Sequence, residues 1–388
     1  MSKHKMEWHL ITCEYPPQGG GVSDYSQLIA TGLAAEGEIV HVWCPAYGTT
    51  QPDVKGVTVH QELGRMSPAD MRRAGRMLDQ FPRPRRLLVQ WVPHGYGYQS
   101  MNLPFCLWLW QRAKLRQDHI EVMVHEPFLA FGEGSWKHRL VAAVHRIMIV
   151  TLLMAARRVW VSIPLWETLL RPFAFGRDNF FSWLPVPSNI PVIDDAAGST
   201  ALRSRYGPRE EVILGHFGAY DPYMTELMSE LVPSLLNQQD KLSVLLLGKG
   251  GVELRKLLIN QHPALDQRVH ATGALSSEEL SQHLSACDVM VQPYQDGVSG
   301  RRGSVMAALA HGVPVVTTIG KATEGCWAES RGVELAGKTT AMAEAIQSLS
   351  ADSAERRRLG VAGKALYEKL FDVKRTIFAL RAELSVPS

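Results

Sequence analysis

Short apolar runs alternate with amphipathic, helix-spaced stretches along most of the chain. "WHLITC" (8–13) is followed by "SDYSQLIATGLAAEG" and then by "EIVHVWC". "RRLLVQWV", "IEVMVHE" and "RRVWVSI" continue the series. Strands alternating with helices in this way predict a parallel sheet with helices on both faces. The most apolar long segment is "LVAAVHRIMIVTLLMAARRVWV" (140–161). It contains His145, Arg146, Arg157 and Arg158, and its clean apolar run is shorter than a membrane span needs. It reads as a buried helix followed by a strand.

The prolines of "FFSWLPVPSNIPVI" (180–193) close this first series, and "DDAAGSTALRSRYGPRE" reads as a linker with a short surface helix. The pattern restarts at "EVILGHFGAY" and runs through "KLSVLLLGKGG", "RVHATGA", "CDVMVQPY" and "GVPVVTTIG". A length of 388 residues suits two domains at ~150 residues each. The expected fold class is α/β, with two doubly wound Rossmann-like domains facing across a cleft. The first spans 1–190, the second 191–365, and a helix over 366–388 packs back on the first. Ligands of open α/β sheets bind outside the carboxyl ends of the strands, so the chemistry belongs in the loops that follow them.

Composition narrows the function. The chain is 46% hydrophobic and 20% charged, ordinary for a globular enzyme, and its net charge of +3 argues against a polyanion binder. The five cysteines are scattered, with no CxxC pair and no zinc spacing, so they read as reduced core residues. The opening "MSKHKMEWHL" lacks the apolar core and small-residue cleavage site of a signal peptide, which sets the expectation of a cytoplasmic protein.

Four stretches carry chemistry. In "EYPPQGGGVSDYSQ" (14–27), Gly19, Gly20 and Gly21 precede a helix that Ser23 or Asp24 can cap. Glycine allows close approach of a ligand, and N–H groups at a helix start favour an anion. The spacing is neither GxGxxG nor a P-loop. In "VHEPF" (124–128), His125 ends a strand beside Glu126 and is placed to donate to a sugar hydroxyl or a developing charge. "QWVPHGYGY" (90–98) supplies Gln90 and His94 on a polar loop after the preceding strand. "PYQDGVSGRRGSVMAALAHGVPVVTT" (293–318) gathers Arg301, Arg302, Gly303 and Ser304 at a helix start, the chemistry of a diphosphate clamp. "GHFGAYDPY" and "LLLGKGG" add Gly218 for close approach and Lys249 for charge.

These stretches, in this order, resemble the retaining GT-B glycosyltransferases of family 4. "VHEPF" is similar to the segment around their active-site histidine, "PSNIPV" to their hinge, and "LLLGKGG", "ATGALSSEELSQHLSACDVMVQPY" and "HGVPVVTT" to their donor domain. The resemblance implies sugar transfer from a nucleotide-diphosphate sugar, with retention and without a metal or other cofactor. It implies that Gly20 and Gly21 lie against the donor, that His125 contacts the transferred sugar, and that Gln90, His94 and Glu126 lie on the acceptor side. Family members usually carry two glutamates eight residues apart, and here those positions hold Ser299 and Ala307. With an insertion in the loop, Asp296 replaces the first. Glu324 is a weaker candidate for a ribose contact. The usual Arg and Lys after the first donor-domain strand are missing from "HFGAYDPY", so Arg301 and Arg302, with Lys249, take over their charge.

The expected partners are therefore a nucleotide-sugar donor and a sugar, lipid-linked or other small acceptor, with no nucleic acid. The basic stretch 71–88, with Trp108, Trp110 and Trp136 in the same half, adds a peripheral contact with the inner face of a membrane. A nicotinamide oxidoreductase would want the third glycine of GxGxxG, which this chain lacks. The remaining alternatives share the architecture: a catalytically silent binding protein, a nucleotide-sugar epimerase and a sugar phosphorylase.

Overall fold

Strands form where β-branched and large apolar side chains run without interruption, because both faces of a parallel sheet are covered. A computed structural model describes residues 7–46, 53–132, 135–177, 180–208 and 210–382. The chain divides into two compact units, one running to Pro185 and rejoined by the segment from Thr376, the other spanning Val186–Arg375.

The first unit contains β1 (Glu7–Ile11), β2 (Ile39–Trp43), β3 (Val57–His60), β4 (Arg86–Trp91), β5 (His119–Val124), β6 (Arg158–Val161) and β7 (Phe181–Trp183). They form one parallel sheet in the order β3-β2-β1-β4-β5-β6-β7. The second unit contains β8 (Val212–Phe217), β9 (Leu242–Leu247), β10 (Val269–Gly273), β11 (Val289–Gln292), β12 (Val315–Thr318) and β13 (Glu334–Ala336), in the order β10-β9-β8-β11-β12-β13. Both sheets therefore reverse their winding beside their first strand, between β1 and β4 and between β8 and β11. β3 and β13 are too short and too polar to stand out in the sequence.

The expected boundary at 190/191 falls a few residues earlier, after Pro185. The closing helix is also interrupted. Ser353–Leu366 runs into a wide turn at Tyr367–Phe371, and a new helix starts at Val373 and reaches Arg381; residues 383–388 lie outside the described part. The first unit recovers the end of that helix by specific bonds. Arg86 Nη2 donates to the Leu380 carbonyl at 2.6 Å and Arg86 Nε to Glu121 at 2.5 Å, and the guanidinium lies 3.8 Å over the Trp8 ring. Glu121 also accepts from Trp160 Nε1 at 2.7 Å. Arg381 pairs with Glu36 and Glu38 at 2.7 and 2.8 Å. A buried cation bonded on all sides is strongly destabilised by removal of one partner.

Residues 140–161 do form a helix and strand, but the helix Trp136–Ala155 is buried on one side only. Ala142, His145, Met148, Ile149 and Leu152 face the core, whereas Trp136, Leu140, Ile147 and Met154 are exposed.

Candidate active site

Four helices start at the two winding reversals, and a helix start leaves N–H groups that need an acceptor. In the first unit, Gly21–Ala35 follows β1. Its cap position is held by Gly20, which has no side chain to cap it. Glu14 does so from the loop, its Oε1 accepting from Val22 N at 3.0 Å and Ser23 N at 2.9 Å. Ser23 Oγ instead donates to the Gln18 carbonyl at 2.6 Å. A Cβ on Gly20 would lie 2.3 Å from that same Glu14 oxygen. The space beside Gly20 is thus filled by the chain's own carboxylate. Gly21 faces open space. The helix Leu103–Leu115 after β4 is capped by Asn102 Oδ1, which accepts from Phe105 N at 3.1 Å.

In the second unit, Pro222–Gln238 after β8 is capped by Asp221, which accepts from Met224 N at 2.8 Å. Gly303–Ala310 after β11 differs. Arg302 holds its cap position and makes no side-chain cap bond, and a Cβ on Gly303 would meet nothing within 4 Å.

The candidate residues of the second unit converge on this open start. Asp296 accepts from Arg301 Nη2 at 2.7 Å and also from Arg302 Nη2. Burial pushes the Asp296 carboxyl up, but the bonds and charges of the two arginines outweigh it, so the group stays below the usual carboxylate range. The Arg302 guanidinium lies 4.5 Å over the ring of Tyr294, whose hydroxyl bonds Ser304 Oγ at 2.8 Å. Burial raises the Tyr294 phenol to about 12, so it remains a neutral donor. A Cβ on Gly218 would lie 3.9 Å from Ser304 Oγ, so the loop after β8 passes close to the helix start. One on Gly248 would lie 3.3 Å from the Gly218 carbonyl, which brings the loop of exposed Lys249 alongside.

Three positions behave otherwise. Ser299 is fully buried with an unpartnered hydroxyl, and Ala307 is buried inside the helix. Glu324 spends Oε1 on Gly300 N at 2.8 Å and Oε2 on Trp327 Nε1 at 2.7 Å. It braces the arginine loop through one bond on each oxygen. Burial raises its carboxyl. Sequence reasoning missed Tyr294, which follows the "QP" of its strand, and His216. His216 is buried beside Gly218 with both ring nitrogens unpartnered, and burial lowers it to about 4.

In the first unit, Gln90 is not on a loop. It lies within β4, fully buried, and its Oε1 is 2.9 Å from His125 Nε2. An amide oxygen only accepts, so Nε2 carries the proton and Nδ1 is left as an acceptor. Tyr25 stands edge-on to the ring at 4.8 Å, and burial lowers His125 to about 4, leaving it neutral near pH 7. His94 and Glu126 approach at 3.6 Å, His94 exposed and Glu126 half-buried. Among the described residues no three His, Cys, Asp or Glu side chains gather to hold a metal ion.

Comparison with known proteins adds a family match over part of the chain and a fold. Residues 211–352 match the family "Glycosyl transferases group 1". No curated protein matches the chain by sequence. Among solved structures, the sucrose-phosphate synthase of Thermosynechococcus elongatus is similar, at 19% identity over 97% of both chains with a TM-score of 0.70. HepE of Anabaena, in complex with UDP and glucose, is 15% identical over 97% of this chain and 98% of its own, with a TM-score of 0.67. WaaG, a glycosyltransferase involved in lipopolysaccharide biosynthesis, is 13% identical over 97% and 100%, with a TM-score of 0.65. The two parallel-sheet, Rossmann-like units thus have the GT-B glycosyltransferase fold.

Proposed function

We propose that the protein is a retaining glycosyltransferase of family 4 that moves a sugar from a nucleotide-diphosphate donor without a metal or other cofactor. The observation that carries this reading is the uncapped start of Gly303–Ala310 with two guanidinium groups beside it. The donor's diphosphate takes the place that carboxylates and amides fill at the other three helix starts. Arg301 and Arg302 are held ready by Asp296 and exchange that carboxylate for phosphate oxygens, for which a guanidinium fork is well shaped. Asp296, kept ionised, turns to the sugar hydroxyls. As the bond to the diphosphate breaks, the clamp neutralises the charge that develops on it, and the departing phosphate takes the acceptor's proton on the same face. Gly218, Ser304 and Lys249 complete the donor site. Neutral His125, held by Gln90, contacts the transferred sugar, with His94 and Glu126 toward the acceptor, a lipid-linked or polysaccharide precursor. The bound UDP of HepE supports a nucleotide-sugar partner. The protein acts in the cytoplasm, in peripheral contact with the inner face of the membrane.

The test is turnover with UDP-, GDP- and ADP-sugars. Arg301→Ala and Arg302→Ala each lower kcat by about 10²–10³, or about 2.7–4 kcal/mol. Undiminished rates in both variants would falsify the clamp. The absence of carboxylates at Ser299 and Ala307 favours a second reading, a silent binding protein. It predicts nucleotide-dependent thermal stabilisation without turnover of any donor.

A further inference from the structure

The basic stretch noted in the sequence forms a pocket of its own. It lies in the first unit between the helices Pro68–Leu78 and Leu103–Leu115, with a volume of about 340 Å³. That is the lower end of the ~300–1,000 Å³ typical of ligand sites. Arg72 and Arg76 stand one turn apart on one wall, and Trp108, Arg112, Leu115 and Arg116 form the other. The helices lead into the amino ends of β4 and β5, so the pocket lies away from the strand carboxyl ends where the transfer residues gather.

Its charge is unbalanced. Asp79 is the acid of the lining, and it already holds Arg112 at 3.0 Å, Arg85 at 3.3 Å and Arg116 at 3.5 Å. Asp118 is fully buried behind them, bonded to Arg85 at 2.7 Å and Arg112 at 2.5 Å. Among the described residues no carboxylate pairs with Arg72 or Arg76, which are exposed at the mouth. The buried ion network fixes the floor, leaving the outer guanidinium groups for an incoming anion. The rim is apolar. Leu115 is 72% exposed, and Leu107 on the same helix is also exposed. The neighbouring helix Trp136–Ala155 adds the exposed seam Trp136, Leu140, Ile147 and Met154, with Lys137, Arg139 and Arg157 at its ends. By length and composition this helix could cross a membrane, yet its inner face is core. An apolar outer face with basic flanks suits a helix lying in a lipid surface.

We propose that this pocket binds the phosphate group of an anionic lipid headgroup while the leucines and the adjoining helix enter the acyl boundary. A free phosphate ester would fill the pocket but leave the apolar seam without a partner. The proposal gives the peripheral membrane contact its surface and its ligand chemistry. It rests on that contact and not on sugar transfer.

The experiment is co-sedimentation of the full chain with phosphatidylcholine vesicles, with and without one third phosphatidylglycerol. Binding is expected to the anionic vesicles only. Arg72→Gln with Arg76→Gln weakens it by about fivefold per arginine. Leu140→Gln with Ile147→Gln weakens the part that survives high salt. Arg357→Gln with Lys374→Gln, exposed cations of the second unit, leaves binding unchanged. Equal binding by the Arg72/Arg76 variant and the parent overturns the pocket. Thermal stabilisation by glycerol 3-phosphate through Arg72 and Arg76, without vesicle binding, overturns the lipid in favour of a free phosphate ester. Either failure is read without donor or acceptor and leaves the glycosyltransferase reading standing.

Discussion

The two units share one winding order and differ at the point where that order reverses. In the first, both helix starts are closed by side chains of the chain itself, Glu14 and Asn102. In the second, Asp221 closes one and the other stays open beside two arginines. Topology supplies the same anion-friendly corner twice, and local side chains decide which corner is vacant. A glycine-rich loop is therefore a poor guide by itself. At Gly20 the missing Cβ serves an internal carboxylate, whereas at Gly303 it borders open space.

The largest expected difference between the units is in acid. The first unit buries His9, His60 and His125 with values lowered to about 3, 4 and 4, and His41, His119 and His145 are also lowered. Burial is the main cause in each, and for His9 the neighbouring His41, His60, Arg85 and Arg112 add to it. The second unit has His216 at about 4, with His270 and His311 lowered. A histidine lowered by folding takes up its proton more readily in the unfolded chain. Its stability is complete above about pH 6.5 and is lost as the pH falls toward the folded value, by up to about 1.4 kcal/mol per pH unit for a fully buried ring. The first unit should therefore melt before the second between pH 6.5 and 4. Tryptophan emission reads this almost alone, because nine of the ten tryptophans precede Pro185. Coincident emission and far-UV transitions would erase the contrast.

A smaller effect separates the two helix starts directly. Glu14→Ala removes the acceptor of two N–H groups and costs about 1–2 kcal/mol in denaturant unfolding. Gly20→Ala forces the same carboxylate away and costs a similar amount. Gly303→Ala stays within about 0.5 kcal/mol in stability but weakens donor binding. If Gly303→Ala instead destabilises like Gly20→Ala, the second corner is not open. An effect at the low end of that range is that of Tyr294→Phe, which loses the hydrogen bond to Ser304, worth about 1 kcal/mol. It raises the donor KM severalfold and leaves the first unit's acid transition in place.

Much of the fold was legible because a buried parallel strand needs a mostly apolar run, and β1, β4, β5, β8, β9 and β11 have one despite polar positions such as His9, Gln90 and Glu121. β3 and β13 carry three or four residues with partial exposure, too little for such a signal. The arginine loop was legible because its members are neighbours in sequence. What escaped depended on side chains reaching across the fold. Glu14 bonds residues eight and nine positions ahead, and Gln90 meets His125 only because β4 and β5 pair. Glu324 reaches back 24 residues to Gly300 N and forward three to the Trp327 ring nitrogen. Local spacing carries none of these pairings.

The bond from Arg86 to the Leu380 carbonyl has a bearing on biosynthesis. The half of the molecule that emerges first from the ribosome is completed last, after the whole of the other half has been translated. A fragment cut after Pro185 would lack its final helix turn, leaving Arg86 short of an acceptor, and should recover order when a peptide covering 373–382 is added back.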